Sequence, residues 1–304
     1  MAADRPPETT RERAVVVVSY GSPDVLLGNP LLVESSPWHV VVVDNFHSQE
    51  ARRAVTALAE RYGWTLVALP ENTGFGHGAD AGARAAVEAG ARTLLFANPD
   101  LAIDRAAADE LAAHVESHPD DLVAPRILRP DGTTWFRGSG LDVERGRTGR
   151  EHEALEPWLT GACLATAARA WTQRGGFDGR YFLYWEDVDL SWRWRRSGGR
   201  VVVRDDVTCV HDVGGTQEAR GRAKSSTYYY YNCRNRLLFA RLHLPARRRL
   251  RWALGALPYA REVVLRGGRR QLLRPRASVV PALRGTWSGL VALLRPGGAG
   301  RAVG

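Results

Sequence analysis

The chain has 304 residues, 44% hydrophobic and 25% charged, ordinary for a globular protein and enough for one large α/β domain or a domain with an appendage. Three cysteines without a CxxC pair argue against a disulfide scaffold and fit a reducing cytoplasm; the polar start MAADRPPETTRER has no secretory h-region, and no apolar run is long enough to span a membrane. The net charge of +9 is unevenly placed: residues 241–304 hold 14 Arg, no Lys and one acid, Glu262, so the first 240 residues sum to −4 and the basic character belongs to the tail.

Residues 14–19, AVVVVS, predict a buried strand that ends in a turn at Tyr20-Gly21-Ser22-Pro23. Residues 39–43 repeat the pattern and end in Asp44-Asn45. A helix is predicted over 50–62, a strand over 64–69, an Ala-rich helix over 76–89 and a strand over 92–97 that ends in Asn98-Pro99-Asp100. A helix near 104–117 and a strand over 121–128 follow. Apolar strands alternating with helices predict a parallel sheet covered on both faces, with ligands beyond the carboxyl ends of the strands. Residues 131–150 suggest a surface hairpin or loop. Helices are expected over 165–174 and 187–197, the latter stopped by Gly198-Gly199, with strands over 200–204 and 207–211 and a helix over 225–243.

Four motifs carry chemistry. Asp100 in 98-NPD-100 is a helix-opening acid or a ligand, and position alone does not choose. The glycines of 72-NTGFGHGADAG-82 make a tight loop with room for a ligand, but no GK[ST] follows, so it is not a P-loop. In 181-YFLYWEDVDLSWRWRR-196, Glu186, Asp187 and Asp189 fall in the first turn of a helix among aromatic residues. Capping accounts for one acid there; an acid partly desolvated by aromatics has a raised pKa and suits a general base. His211 gains weight as a ligand only if it meets Asp100.

In this order the motifs resemble family-2 glycosyltransferases, in particular their rhamnosyltransferase-like branch. The resemblance rests on VVVVSYGSPD (15–24), VVVDN (41–45), ENTGFGHGADAG (71–82), NPD (98–100), TGACLA (160–165), GGFDGRYFLYWEDVDLSWRWRRSGG (175–199), HDVGG (211–215) and YYYYNCRNRLLFARLH (228–243). It implies a GT-A type α/β nucleotide-sugar-binding domain with a mostly parallel central sheet over 13–243, after a flexible N-terminus at 1–12. A basic helical region at 244–304 completes the chain. It also implies roles. Asp44 would contact the donor nucleoside, Tyr20 and Ser22 would line the base and ribose pocket, and Asn72 and Gly74 would border it. Asp100 would hold a divalent metal, Mg²⁺ or Mn²⁺, on the donor diphosphate, with His211 as a second ligand. Asn98 stands on the donor side where a first acid is often found. Asp187 would be the catalytic base, with Trp185 and Glu186 beside the acceptor, and Asp189 is read as structural. His77 and Ala79-Asp80 depart from the family's glycine loop.

The implied activity is inverting, metal-dependent transfer of a sugar, L-rhamnose from dTDP-rhamnose in the leading reading. The acceptor would be a glycan, polyprenyl-linked or small-molecule hydroxyl, as in cell-wall or polysaccharide biosynthesis. A sugar nucleotidyltransferase is disfavoured, because no Gly-rich loop with a basic residue follows the first strand. An inactive nucleotide-sugar-binding or membrane-associated protein is disfavoured by the intact Asp100, Asp187 and His211. The Arg- and Trp-bearing tail reads either as solvated helices packed on the body or, in the leading reading, as attachment to the inner face of the membrane, and no nucleic-acid module is visible.

Overall fold

The computed structural model describes residues 12–149, 155–212 and 224–294. Residues 1–11 of the expected flexible N-terminus and Val213-Gly214-Gly215 of the HDVGG motif lie outside them. The chain forms two compact units: Met1–Leu141, Thr148–Phe182 and Glu186–Glu218, then Asp142–Arg147, Leu183–Trp185 and Ala219–Gly304.

The first unit is built on β1 (Arg13–Ser19), a valine run buried on both faces. Such a strand needs a paired neighbour on each side. β2 (His39–Asp44) and β4 (Thr93–Ala97) flank it in parallel, Val16 opposite both Val41 and Phe96, and β3 (Thr65–Ala68) extends the sheet beyond β2. A short helix, α1 (Pro30–Val33), lies between β1 and β2, and the crossovers after it are α2 (Gln49–Tyr62) and α3 (Phe75–Glu88). The Ser48 hydroxyl caps α2 by accepting from the Ala51 N–H at 3.1 Å, and Gly63 ends it in the left-handed region. This half is the parallel sheet that the alternation predicts.

The other half is mixed. Cys163–Ala167, partly expected as helix, is a strand, β11, antiparallel to β4 with Cys163 opposite Ala97. Its alanines favour helix locally, but pairing and complete burial between strands outweigh that propensity, and helix α5 (Ala168–Arg174) starts only after it. β11 is also antiparallel to β6 (Asp121–Leu128). β12 (Arg200–His211) lies parallel to β6, and the two strands expected there are one, with a register shift between Arg204 and Thr208. The short β5 (Leu101–Ala102) closes the edge against β12. Helix α4 (Arg105–Ser117), capped by Asp104, packs on this half. The region 131–150 supplies β7 (Thr134–Phe136), β8 (Ser139–Asp142) and β9 (Arg147–Gly149); β8 and β9 form a small sheet with β10 (Glu156–Trp158). Helix α6 (Glu186–Arg196) carries the acidic cluster. Cys163, Cys209 and Cys233 are all buried and free.

The second unit is helical: α7 (Ser226–His243), α8 (Ala246–Leu254), α9 (Ala256–Arg266), a 3₁₀ turn at Arg269–Leu273, and α10 (Val279–Leu294). α10 lies against α7 because small residues allow it. The α-carbon of Gly285 faces the Tyr230 carbonyl so closely that a side chain would collide with it. α7, expected at the end of the 13–243 domain, lies in the same compact unit as the helices after it. The buried Arg236 knits the unit, donating to the carbonyls of Gly146 (2.7 Å), Trp252 (2.9 Å) and Arg145 (3.2 Å) between the rings of Trp252 and Tyr259. Burial lowers its pKa to about 10. Among the described residues, no helix is long and apolar enough to cross a membrane.

Candidate active site

The carboxyl ends of the strands gather the first group. β5 pairs with the end of β12, placing Leu101 opposite His211, and the Asp212 N–H donates to the Asp100 carbonyl at 3.0 Å. His211 Nε2 then meets the Asp100 carboxylate at 2.9 Å, and the amide of Asn98 stands 3.5 Å from the same nitrogen. The side chains of His211 and Asp100 are 6% and 8% exposed. Trp135 packs edge-on against the imidazole, and His211 Nδ1 is buried without a partner among the described residues. A carboxylate oxygen and a ring nitrogen thus stand side by side, 2.9 Å apart. This donor set fits a divalent cation that takes few protein ligands and completes its shell with phosphate and water.

A second cluster of possible metal ligands, His114, His118 and Asp121, lies at the other end of the strands. There Asp121 accepts both nitrogens of Arg200 at 2.8 Å and bonds His114 at 2.9 Å. Arg200 and His114 already hold Asp121 below the usual carboxylate range, and the cluster bridges the end of α4 to the starts of β6 and β12.

The glycine loop is held by a residue that sequence reasoning passed over. Asn45, buried at the end of β2, donates to Asn72 Oδ1 (3.1 Å) and to the Gly74 carbonyl (3.2 Å), and accepts from the Thr73 N–H (2.9 Å). Its neighbour Asp44 is buried and ion-paired with Arg52. Tyr20 is exposed and meets His47 edge-on, and Ser22 is exposed before a 3₁₀ turn. Gly74 has φ +86°, and a side chain on it would strike the Phe182 carbonyl, which accepts from the Phe75 N–H at 3.1 Å. The loop therefore makes close backbone contact with the segment leading to the acidic cluster. Asp80, in the part of the loop that departs from the family pattern, turns away to accept from the Phe177 N–H at 3.2 Å; burial raises its pKa to about 7.

The three acids of α6 are not equivalent. Asp189 is fully buried, accepting from the Tyr181 hydroxyl (3.1 Å) and from Arg193 (2.6 Å), a structural arrangement. Glu186 is 6% exposed, with Oε2 lacking a partner among the described residues. Burial, and then the charge of Asp187, push it well above the carboxylate range. Asp187 is partly exposed at the start of α6 and accepts from the N–H groups of Val188 (2.8 Å) and Gly161 (3.4 Å). Burial raises it to about 6 against those donors. Gly161 links the two groups: its neighbour Ala162 accepts from the Asn98 N–H at 2.9 Å. The strand β11 that makes this link has no signal in the sequence beyond the TGACLA motif.

Trp185, expected beside the acceptor, is 4% exposed, its ring against Phe239 and Trp252. Tyr184 and Trp185 both have positive φ, +65° and +75°, a costly conformation for aromatic residues. Asn235 of α7 holds this turn, donating to the carbonyls of Leu183 (2.9 Å) and Tyr184 (2.8 Å).

Comparison with known proteins converges on one family. Residues 14–174 match the family model described as Glycosyl transferase family 2, a span that takes in Asp44, Asn72, Asn98 and Asp100 and ends before Asp187 and His211. An N-acetylglucosaminyl-diphospho-decaprenol L-rhamnosyltransferase of Mycobacterium tuberculosis is 29% identical over 213 residues, 62% of this chain and 68% of that one. The low-salt glycan biosynthesis hexosyltransferase Agl10 of Haloferax volcanii is 27% identical over 238 residues, 74% of each chain. A mannosyltransferase of Pyrobaculum calidifontis, solved in complex with GDP-Man and Mn²⁺, shares the fold with a TM-score of 0.55 at 17% identity, over 93% of this chain and 84% of that one.

Proposed function

The chain belongs to glycosyl transferase family 2, and from that premise we propose that it moves a hexose from a nucleotide-sugar donor to an acceptor hydroxyl, inverting the anomeric carbon. The similarity to an L-rhamnosyltransferase supports dTDP-L-rhamnose as the first donor to test. The acceptor in this reading is a glycan, lipid-linked or natural-product hydroxyl of a cell-wall or polysaccharide pathway, reached from a membrane surface to which 244–304 attaches.

The observation that carries the reading is Asp187, a partly exposed carboxyl with a pKa of about 6, which accepts from the Gly161 N–H one residue before Ala162, whose carbonyl bonds Asn98. Asp187 takes the proton of the acceptor hydroxyl as its oxygen attacks C1 from the face opposite the diphosphate; the new C–O bond forms as the bond to the diphosphate breaks. Burial and the neighbouring Asp187 charge favour the neutral form of Glu186, which leaves Asp187 as the base in this reading. Trp185 braces the turn before α6 rather than walling the acceptor. Tyr20, Ser22, Asp44, Asn72 and Gly74 frame the nucleoside, with Asn98 at the diphosphate. Asp100 and His211 would hold Mg²⁺ or Mn²⁺, which when bound neutralises charge growing on the leaving group.

The test is nucleoside diphosphate release from a panel of dTDP-, UDP- and GDP-sugars with Mn²⁺ or Mg²⁺, for the parent and Asp187→Asn. Release that depends on acceptor and is lost in Asp187→Asn supports the reading. Pyrophosphate as the product points to a nucleotidyltransferase, absence of turnover with every donor and acceptor to a binding protein, and full activity in Asp187→Asn removes the base.

A further inference from the structure

α10 is apolar on both faces. Ala282, Gly285, Thr286 and Gly289 are its buried side, with Gly285 and Gly289 against α7. On the other side Val280, Leu283 and Trp287 recur at helical spacing, with Leu294 two turns further, and all are exposed, Trp287 to 70%. One charge, Arg284, occurs in its sixteen residues. A helix apolar all round belongs in a protein core or in lipid, and the inward stripe already satisfies the first. Sixteen residues rise about 24 Å, short of the roughly 30 Å hydrocarbon layer. α10 has the composition for lipid and the length for lying along its surface.

The rest of the helical unit selects among occupants. α8 exposes Leu250 and Leu254, the latter to 76%, beside Arg247, and the 3₁₀ turn exposes Leu272 and Leu273 between Arg269, Arg270 and Arg274. Arg247, Arg269, Arg270, Arg274 and Arg284 have no acidic partner among the described residues. Glu262, the one acid after residue 240, is taken by Arg147 and Arg266. A second copy docked through the same face would bring like charge against like charge. A layer of anionic headgroups complements the arginines and offers acyl chains to the leucines and Trp287.

We propose that the outward face of α10, centred on Leu283 and Trp287, inserts into an anionic membrane leaflet. This deepens the membrane attachment proposed above and is independent of the transfer chemistry. Arginines alone would give binding that salt abolishes, whereas an inserted face leaves a salt-resistant part.

The experiment is flotation of the full chain with phosphatidylglycerol–phosphatidylcholine vesicles and with phosphatidylcholine alone, at low and high salt. It compares the parent with Leu283→Ser/Trp287→Ser, whose exposed positions leave the packing on α7 intact, as a thermal melt checks. The parent should float with the anionic vesicles and keep part of that binding at high salt. The double variant should lose the salt-resistant part by at least about tenfold while releasing nucleoside diphosphate with a soluble acceptor at the parent's rate. Equal flotation of parent and variant overturns the proposal, as does equal binding to phosphatidylcholine alone. So does a parent dimer, by light scattering, that the variant renders monomeric without any vesicle binding. Flotation as expected with no sugar transfer from any donor would sink the transfer reading and leave this one standing.

Discussion

In the role proposed for it, Asp187 couples activity to stability through one side chain. Its pKa of about 6 in the fold lies above its ordinary 3.8, because burial penalises the charge. As the proposed base it must be ionised, so kcat/KM should rise with pH and level off above about 6, and Asp187→Asn should lower kcat by about 10²–10⁴. The stability effect runs the other way. Below pH 4 both states hold the proton and there is no penalty. Between 4 and 6 the unfolded chain ionises first, so stability falls, by up to about 3 kcal/mol once pH exceeds the folded pKa. Asp187→Asn should therefore melt with the parent at pH 4 and above it at pH 8; equal melting at both would mean the carboxyl is not strained by burial. Asp100 makes a separate prediction. Asp100→Asn should weaken Mn²⁺-dependent nucleotide binding by at least about tenfold, read by calorimetry with and without the ion. Asp187 was legible in the sequence because acids among aromatics are conspicuous. Asn45 and Asn235 were not, because their work is to bond backbone carbonyls that only the fold brings to them.

At the level of elements, close backbone approach decides two sites. Gly74 lets the glycine loop touch the Phe182 carbonyl, and its φ of +86° disfavours any side chain. Gly74→Ala should weaken donor binding more than it lowers kcat for bound substrate, measurable as a larger change in KM. Gly285 plays the packing counterpart between α10 and α7. Gly285→Ala should cost about 1–3 kcal/mol, seen as a lower midpoint in thermal or urea unfolding. Sequence periodicity predicted the strands and the two crossover helices of the parallel half within a residue or two, because buried valine runs and capped helices declare themselves locally; it missed the helical turns at Pro23–Gly28 and Pro30–Val33. It lost β11, a buried five-residue run, CLATA, that reads equally as helix until its partners β4 and β6 are known.

For the whole molecule, the division into units sets where the chain can be cut. A 1–243 fragment would leave α7 without α10, exposing the stripe around Tyr230 and Leu237. It should aggregate or melt well below the full chain; a 1–243 fragment that melts like the parent would show that α7 needs no partner. The sequence by itself determined the alternation of strands and helices, the order of the motifs and the basic tail, because each is written in neighbouring residues. Family membership rests on that order over residues 14–174. Only the tertiary structure decided that His211 meets Asp100 across 111 residues, that Gly161 ties Asn98 to Asp187, and that α10 presents an apolar face outward. Those follow from strand pairing and helix packing between distant segments, whose register is set by the burial of the whole core and not by any local stretch of chain.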